Sequence, residues 1–139
     1  MPGAVSLLAW GRLIDAGARA RHKARAGLKA AGLPPPEWYD ILQLLGRHGA
    51  QRPRDIQHKL GIEQYTLSRL LARMDQAGLV AMQPCTVDRR GQITALTAQG
   101  EACRAAMWPT YAAAIRSAIE ARLDPDERVQ LAVMLEKIA

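Results

Sequence analysis

The chain has 139 residues, 49% of them hydrophobic and 23% charged, so it is large enough to bury one core and is not expected to be disordered. Its net charge of +6 is typical of a protein that meets a polyanion such as nucleic acid, although a basic surface can also serve solubility alone. The two cysteines suit a reducing cytoplasm, and neither a membrane span nor a secretory signal is expected.

The first predicted element is a long helix over about Ala4–Ala31, apolar at its start and basic towards its end. Cations suit the end of a helix because they face the negative pole of its dipole. Gly32 and the prolines that follow end this helix. Pro36 then opens a second helix, whose leucines recur at helical spacing.

Two further helices are predicted close together. Pro53 opens a short helix that ends at Leu60, and Gly61 is expected to close it in a left-handed conformation. The next helix, over about Gln64–Ala77, has the clearest amphipathic pattern in the chain. Its apolar residues recur at i, i+3, i+4 and i+7, namely Leu67, Leu70, Leu71 and Met74.

Two helices joined by a short glycine-containing turn predict a helix-turn-helix. The first helix would brace the second, whose polar face has the width of a DNA major groove. Arg69 could form a fork to guanine or neutralise a phosphate, and Ser68 could bond a base edge or a phosphate. A plain solvated face is the alternative. The candidate recognition residues are Gln64, Tyr65, Thr66, Ser68, Arg69 and Arg73.

A β-hairpin is predicted next, with strands over Leu79–Met82 and Gln92–Thr97 and an interruption at Pro84. A narrow minor groove attracts arginine through its negative potential, and an aspartate can hold an arginine in place by a charge-assisted bond. The alternative is a simple ion pair in a surface turn. The polar turn contains three candidate wing residues, Asp88, Arg89 and Arg90.

The pattern is helical again from about Ala98 to Leu123, with a kink expected at Pro109. Asp124 and Pro125 predict the start of a last helix, since they supply a cap and a proline at the first position. This helix is apolar on nearly all sides, which predicts burial on several sides and suggests a partner subunit.

These elements predict a fold that is mainly α with a small β-hairpin wing. It is a winged helix-turn-helix flanked by N- and C-terminal dimerisation helices. The predicted regions are an N-terminal dimerisation helix over residues 1–33, a DNA-binding region over residues 34–100 and C-terminal dimerisation helices over residues 101–139.

Two segments of the chain resemble the MarR family of regulators. Asp88, Arg90 and the Leu96-Thr97-x-x-Gly100 motif look like the family's wing signature, in which D-x-R and a strand precede L-T-x-x-G at a helix start. The run over residues 66–71 followed by Gly78-Leu79-Val80 is similar to the family's recognition helix and its exit. The order and spacing of these motifs match those of the family from about Pro36 to Gly100.

The resemblance implies a homodimeric transcription regulator. It implies that the helix over Gln64–Ala77 enters the major groove, while Arg90 reaches the minor groove and Asp88 orients it. Many members respond to a small aromatic ligand in a cleft, which Trp10 and Trp38 could line if they are not simply packing residues. The predicted function is a repressor that binds a pseudo-palindromic operator in double-stranded DNA and is released by a small-molecule effector.

Three features depart from the family pattern. Met82 stands where members often have a basic residue, and Glu63 is a poorer helix cap than serine, threonine or aspartate. Pro84-Cys85 is expected to make the hairpin irregular.

The remaining side chains give weaker signals. The three histidines lack ligand-like spacing, so no metal site or cofactor is expected, and no catalytic motif indicates an enzyme. Cys103 is expected to be a buried helix residue. Cys85 is expected to be more exposed, near the wing, and is a candidate redox sensor. A protein-interaction module on the same scaffold is the alternative function, and it would bind DNA only weakly and without specificity.

Overall fold

The computed structural model describes residues 1–85, 87 and 91–139. The described residues form six α-helices, one π-helical segment and a two-stranded antiparallel hairpin, so the predicted fold class is confirmed. The helices are α1 (Ala4–Ala30), α2 (Pro36–His48), α3 (Pro53–Leu60), α4 (Gln64–Gln76), α5 (Ala98–Ile115) and α6 (Pro125–Ile138). The strands are β1 (Val80–Pro84) and β2 (Gln92–Leu96), and the π-helical segment is Arg116–Glu120.

The chain divides into two compact units. One consists of residues 34–108, and the other combines residues 1–33 with residues 109–139. The division falls at Pro109, inside α5. The three regions expected from the sequence stay a prediction.

Apolar side chains from several elements are buried within residues 34–108. Ile41 and Leu42 of α2, Ile56 of α3 and Met107 of α5 are completely inaccessible to solvent. Gly61 caps the end of α3 with φ 63° and ψ 34°, so the predicted left-handed cap is confirmed. Glycine suits this position because it adopts positive φ without a steric penalty.

The hairpin is regular over its whole described length. Val80 lies opposite Leu96, and Pro84 lies opposite Gln92. The expected interruption at Pro84 is therefore wrong, because a proline is tolerated at the end of an edge strand, where its missing N–H is not needed. Gln51 adds a third partner, since its backbone N–H donates to the Thr94 carbonyl (3.0 Å) and its carbonyl accepts from the Thr94 N–H (2.7 Å).

A compact junction joins the end of α4 to the start of α5. The Thr97 hydroxyl donates to the Gly78 carbonyl oxygen (2.6 Å) and accepts from the Gly100 N–H (3.0 Å). The Thr97 N–H donates to the Leu79 carbonyl oxygen (3.2 Å). The spacing of Thr97 and Gly100 therefore has a structural reason. Thr97 caps the start of α5, and Gly100 permits a close approach of the backbone.

The unit of residues 1–33 and 109–139 contains α1, the end of α5, the π-helical segment and α6. Arg21 donates to the Tyr111 hydroxyl (3.1 Å), and Lys23 donates to the Ser117 hydroxyl (3.3 Å). No described helix is both long and apolar enough to cross a membrane.

Helix α6 begins as the sequence predicts. The Asp124 carboxylate accepts from the Glu127 N–H (2.8 Å), and the Glu127 carboxylate accepts from the Asp124 N–H (3.0 Å). This reciprocal capping box satisfies two backbone donors that the helix itself cannot pair. The expected burial of α6 is not found within the single chain, where none of its described residues is buried.

Candidate nucleic-acid interface

Helix α4 is held by its apolar face. Leu67, Leu71 and Met74 are 2%, 3% and 0% exposed, so each turn of the helix inserts a side chain into the core. Helix α3 packs against α4, and its Ile56 is also completely buried. Only residues 61–63 separate the two helices. The helix-turn-helix expected from the sequence is therefore present, with α4 as its second helix.

The opposite face of α4 is polar and accessible. The structure places all six candidate recognition residues on this one helix, and all six are exposed: Gln64, Tyr65, Thr66, Ser68, Arg69 and Arg73. The Glu63 side chain makes no hydrogen bond to the start of α4, in agreement with its expected weakness as a cap. We define these six exposed residues as the α4 polar face, and their contact with DNA stays a prediction.

An arginine and an aromatic ring are paired on the α4 polar face. The Arg69 guanidinium carbon lies 5.6 Å from the centroid of the Tyr65 ring, within the range of a cation–π interaction. Together with Thr66, Leu70 and Arg73 these side chains line a shallow surface depression. Sequence analysis missed this pair, although the four-residue spacing of a tyrosine and an arginine on a helix was a usable signal.

The wing residues Asp88, Arg89 and Arg90 lie outside the described residues, so their predicted roles stay predictions. At the loop end of the two strands, the Cys85 N–H donates a backbone hydrogen bond to the Gly91 carbonyl oxygen (2.9 Å).

Neither cysteine has the exposure expected of it. Cys85 was expected to be exposed, but it is only 7% exposed because it lies at the end of β1, where the Arg52 guanidinium donates to its sulfur (3.6 Å). Cys103 was expected to be buried, but it is only partly buried. Its sulfur lies 3.8 Å from the Met107 sulfur. This partial burial raises the pKa of the Cys103 thiol, which disfavours the reactive thiolate.

A polar network that sequence analysis missed joins α2 to α5. Arg104 donates to the Gln43 side-chain oxygen (3.0 Å) and makes a bidentate ion pair with Glu101 (2.9 and 2.5 Å). The hydrogen bonds from Arg104 lower the pKa of Glu101. Tyr39 stacks on Trp108 with ring centroids 6.4 Å apart, and burial is the main cause that raises the pKa of Tyr39.

The two tryptophans proposed to line an effector cleft belong to different units. Trp10 is exposed on α1, and Trp38 is half-buried on α2. Their role stays a prediction. Among the described residues, no group of three or more histidine, cysteine and acidic side chains is arranged to hold a metal ion.

The sequence model of the MarR family matches residues 31–91. The fold is similar to AbsC, a MarR family transcriptional regulator from Streptomyces coelicolor, with 25% identity and a TM-score of 0.85 over 99% of this chain and 94% of that chain. No curated protein matches the chain in sequence.

Two further solved structures are similar over nearly the whole chain. One is Bordetella bronchiseptica BpsR, whose DNA binding is regulated by 6-hydroxynicotinic acid, with 25% identity and a TM-score of 0.86 over 99% of this chain and 97% of that chain. The other is Sco3205, a MarR family transcriptional regulator from Streptomyces coelicolor in complex with DNA. Its identity is 24% and its TM-score is 0.88, over 99% of this chain and 88% of that chain. The match to Sco3205 shows the fold alone.

The family match covers the helix-turn-helix and the start of the hairpin, and the structural matches extend the similarity to both units. The resemblance found in the sequence is therefore confirmed: residues 31–91 match the model of the MarR family, and the fold is similar to that of solved MarR family transcriptional regulators.

Proposed function

We propose that this protein regulates transcription by binding a specific sequence in double-stranded DNA through the α4 polar face. The observation that carries the proposal is the division of α4 into a buried face and an exposed polar face. A helix anchored in this way presents its polar side chains on a rigid support of major-groove width. The net charge of +6 favours approach to the phosphate backbone, which supplies affinity without specificity.

Within this proposal, the exposed side chains of α4 have distinct roles. Arg69 carries a planar guanidinium that can donate two parallel hydrogen bonds to a guanine edge. Ser68 and Thr66 carry hydroxyl groups that can bond either a base edge or a phosphate oxygen. Arg90 in the wing would add a minor-groove contact, with Asp88 orienting it.

We propose a homodimer as the functional form. Large apolar side chains are exposed on the helices of the unit that contains residues 1–33 and 109–139, and so much exposed apolar surface is typical of an interface. These side chains include Val5, Leu7, Leu8, Trp10 and Ile14 of α1 and Val129, Val133, Met134 and Ile138 of α6. A two-fold dimer presents two recognition helices about one DNA turn apart, so the operator would be pseudo-palindromic. Occupation of that operator would repress transcription.

We also propose that a small aromatic effector releases the protein from DNA. The support is the similarity to BpsR, whose DNA binding is regulated by 6-hydroxynicotinic acid. An effector that binds better to a dimer with the wrong helix spacing lowers the DNA affinity by thermodynamic linkage.

The test is a selection from a randomised duplex pool near physiological salt, followed by sequencing. The expected result is a two-fold site that Arg69→Ala no longer enriches. Arg122→Ala is the matched control, since it removes the same charge from an exposed position outside α4. If no sequence is enriched and the affinity only falls with salt, the charge acts nonspecifically and a protein-interaction module becomes the better hypothesis.

A further inference from the structure

We propose that Tyr65 is a positioning residue for Arg69. Its ring holds the Arg69 guanidinium in the orientation with which the guanidinium recognises a base, so Tyr65 contributes to sequence specificity through Arg69. This inference rests on the DNA-binding function proposed above, and it adds a residue that sets the specificity of the same surface.

The position of the two residues on α4 brings their side chains together. Tyr65 is in the first turn of the helix, and Arg69 follows four residues later. Helical side chains lean towards the N-terminal end of their helix, so the Arg69 side chain reaches back over the ring. The distance of 5.6 Å from the guanidinium carbon to the ring centroid fits that geometry.

Both members of the pair are accessible to a ligand. Tyr65 is 66% exposed, so its ring is not part of the core that holds α4 in place. Arg69 is also exposed, and the pair lines a surface depression together with Thr66, Leu70 and Arg73. The ring therefore belongs to the exposed surface of the helix that would meet DNA, and not to the buried surface that packs the helix in place.

The ring gives Arg69 an advantage that a free arginine lacks. A guanidinium can lie on an aromatic face and still donate hydrogen bonds in its own plane, so stacking does not block recognition of guanine. A long flexible side chain loses rotamer freedom when it binds, and a side chain that is already restricted loses less. Tyr65 therefore lowers the entropic cost of the Arg69 contact. The ring face supplies this effect, and the phenolic hydroxyl is not needed.

A double-substitution cycle on the selected operator tests the inference. The dissociation constants of the unsubstituted protein, Tyr65→Phe, Tyr65→Ala, Arg69→Ala and the Tyr65→Ala/Arg69→Ala double variant are measured at one salt concentration. The base that Arg69 recognises is the operator position whose preference disappears in selections with Arg69→Ala. A second duplex carries a changed base pair at that position.

We expect Tyr65→Phe to bind like the unsubstituted protein, because the ring is retained. Tyr65→Ala should weaken operator binding about 2- to 5-fold, the range of an exposed cation–π contact. It should reduce discrimination at the Arg69 position by a similar factor. In the Arg69→Ala background, Tyr65→Ala should have no further effect.

Arg73 provides the matched control. It lies on the same polar face, but eight residues from Tyr65, roughly 12 Å along the helix axis, so the ring does not restrict it. The effects of Tyr65→Ala and Arg73→Ala should therefore multiply independently. Thermal unfolding checks that all variants fold equally well.

The inference is overturned if Tyr65→Ala weakens binding equally with and without Arg69, because Tyr65 then contacts DNA itself. It is also overturned if Tyr65→Phe loses as much affinity as Tyr65→Ala, because the hydroxyl then matters. Either result leaves the proposed function intact, provided that the unsubstituted protein selects a specific site. If it selects none, the proposed function fails and the inference fails with it.

Discussion

Gly100 lies so close to Leu79 that a Cβ atom added to the glycine would overlap the Leu79 carbonyl oxygen. The obstacle is backbone, and backbone moves less easily than the end of a flexible side chain. The Leu96 side chain is also too close to such an atom. The exit of α4 can therefore pack on the start of α5 only while residue 100 has no side chain.

The first prediction concerns this contact. Gly100→Ala should destabilise the protein by about 1–3 kcal/mol, the usual cost of forcing an extra carbon into a packed site. Urea denaturation followed by circular dichroism measures the change. Gly11→Ala is the control, because a Cβ atom at this exposed helical glycine meets nothing within 4 Å. The control should be neutral or slightly stabilising, and equal losses in both variants would contradict the prediction.

The second prediction concerns Thr97. Thr97→Val removes the hydroxyl that bonds both the Gly78 carbonyl and the Gly100 N–H, so it should cost about 1–3 kcal/mol. Thr97→Ser keeps the hydroxyl and should lose much less. Denaturant unfolding compares the two, and a serine variant as unstable as the valine variant would show that the methyl group, not the hydroxyl, matters.

The third prediction concerns the wing. Arg90→Ala should weaken binding broadly or at A/T-rich flanks of the operator, because a narrow minor groove attracts arginine. Arg69→Ala should instead change the preferred sequence and cost about 5- to 150-fold at the matched site. Fluorescence anisotropy on duplexes with different flanks separates the two patterns. If neither variant affects DNA binding, the assigned docking is wrong.

The fourth prediction is a pH dependence. Because Arg104 lowers the pKa of Glu101 from its ordinary value of 4.5, the ion pair stabilises the folded chain above that value. The contribution is lost as the pH falls through the lower pKa of the folded state. Glu101→Gln should therefore be slightly less stable than the unsubstituted protein at pH 7, with a difference that shrinks below about pH 4.5. If the stability difference between the two proteins instead grew as the pH fell, the ion pair would not stabilise the folded chain in the way assigned here.

The fifth prediction concerns the proposed dimer. Val133 is 48% exposed on α6 in the single chain, so Val133→Glu should leave that chain's own core intact. In a dimer with α6 at the interface the change would bury a charge, which is strongly unfavourable. Analytical ultracentrifugation should show weakened association. The control is Glu120→Gln, a polar change at an exposed position, and equal association of all three proteins would exclude α6 from the interface.

Much of the fold could be predicted because its signals are local. The start of α6 follows from Asp124 and Pro125, and the buried face of α4 follows from the spacing of Leu67, Leu71 and Met74. Such patterns depend only on residues within a few turns of each other.

The errors arose where distant residues decide the outcome. Cys85 is buried beside Arg52, which lies 33 residues earlier in the chain, so its own neighbours in sequence did not reveal it. Pro84 stays in β1 because the strand ends at a sheet edge, which the sequence alone does not show. The link from Arg104 to Gln43 spans 61 residues and has no periodic pattern.

The bridge between Gln51 and Thr94 fixes the middle of β2 to the connection that leads into α3. A two-stranded hairpin alone is marginally stable in water, and these two backbone hydrogen bonds stabilise it by pairing β2 with a third segment of backbone. These two bonds therefore tie the hairpin to the segment that leads into the helix-turn-helix, and a change in the distance between the two would strain or break them. On DNA, the hairpin and the recognition helix would then be held at a set distance from each other. Duplex sequences whose grooves adopt the matching spacing at a low deformation cost would bind better than stiffer sequences.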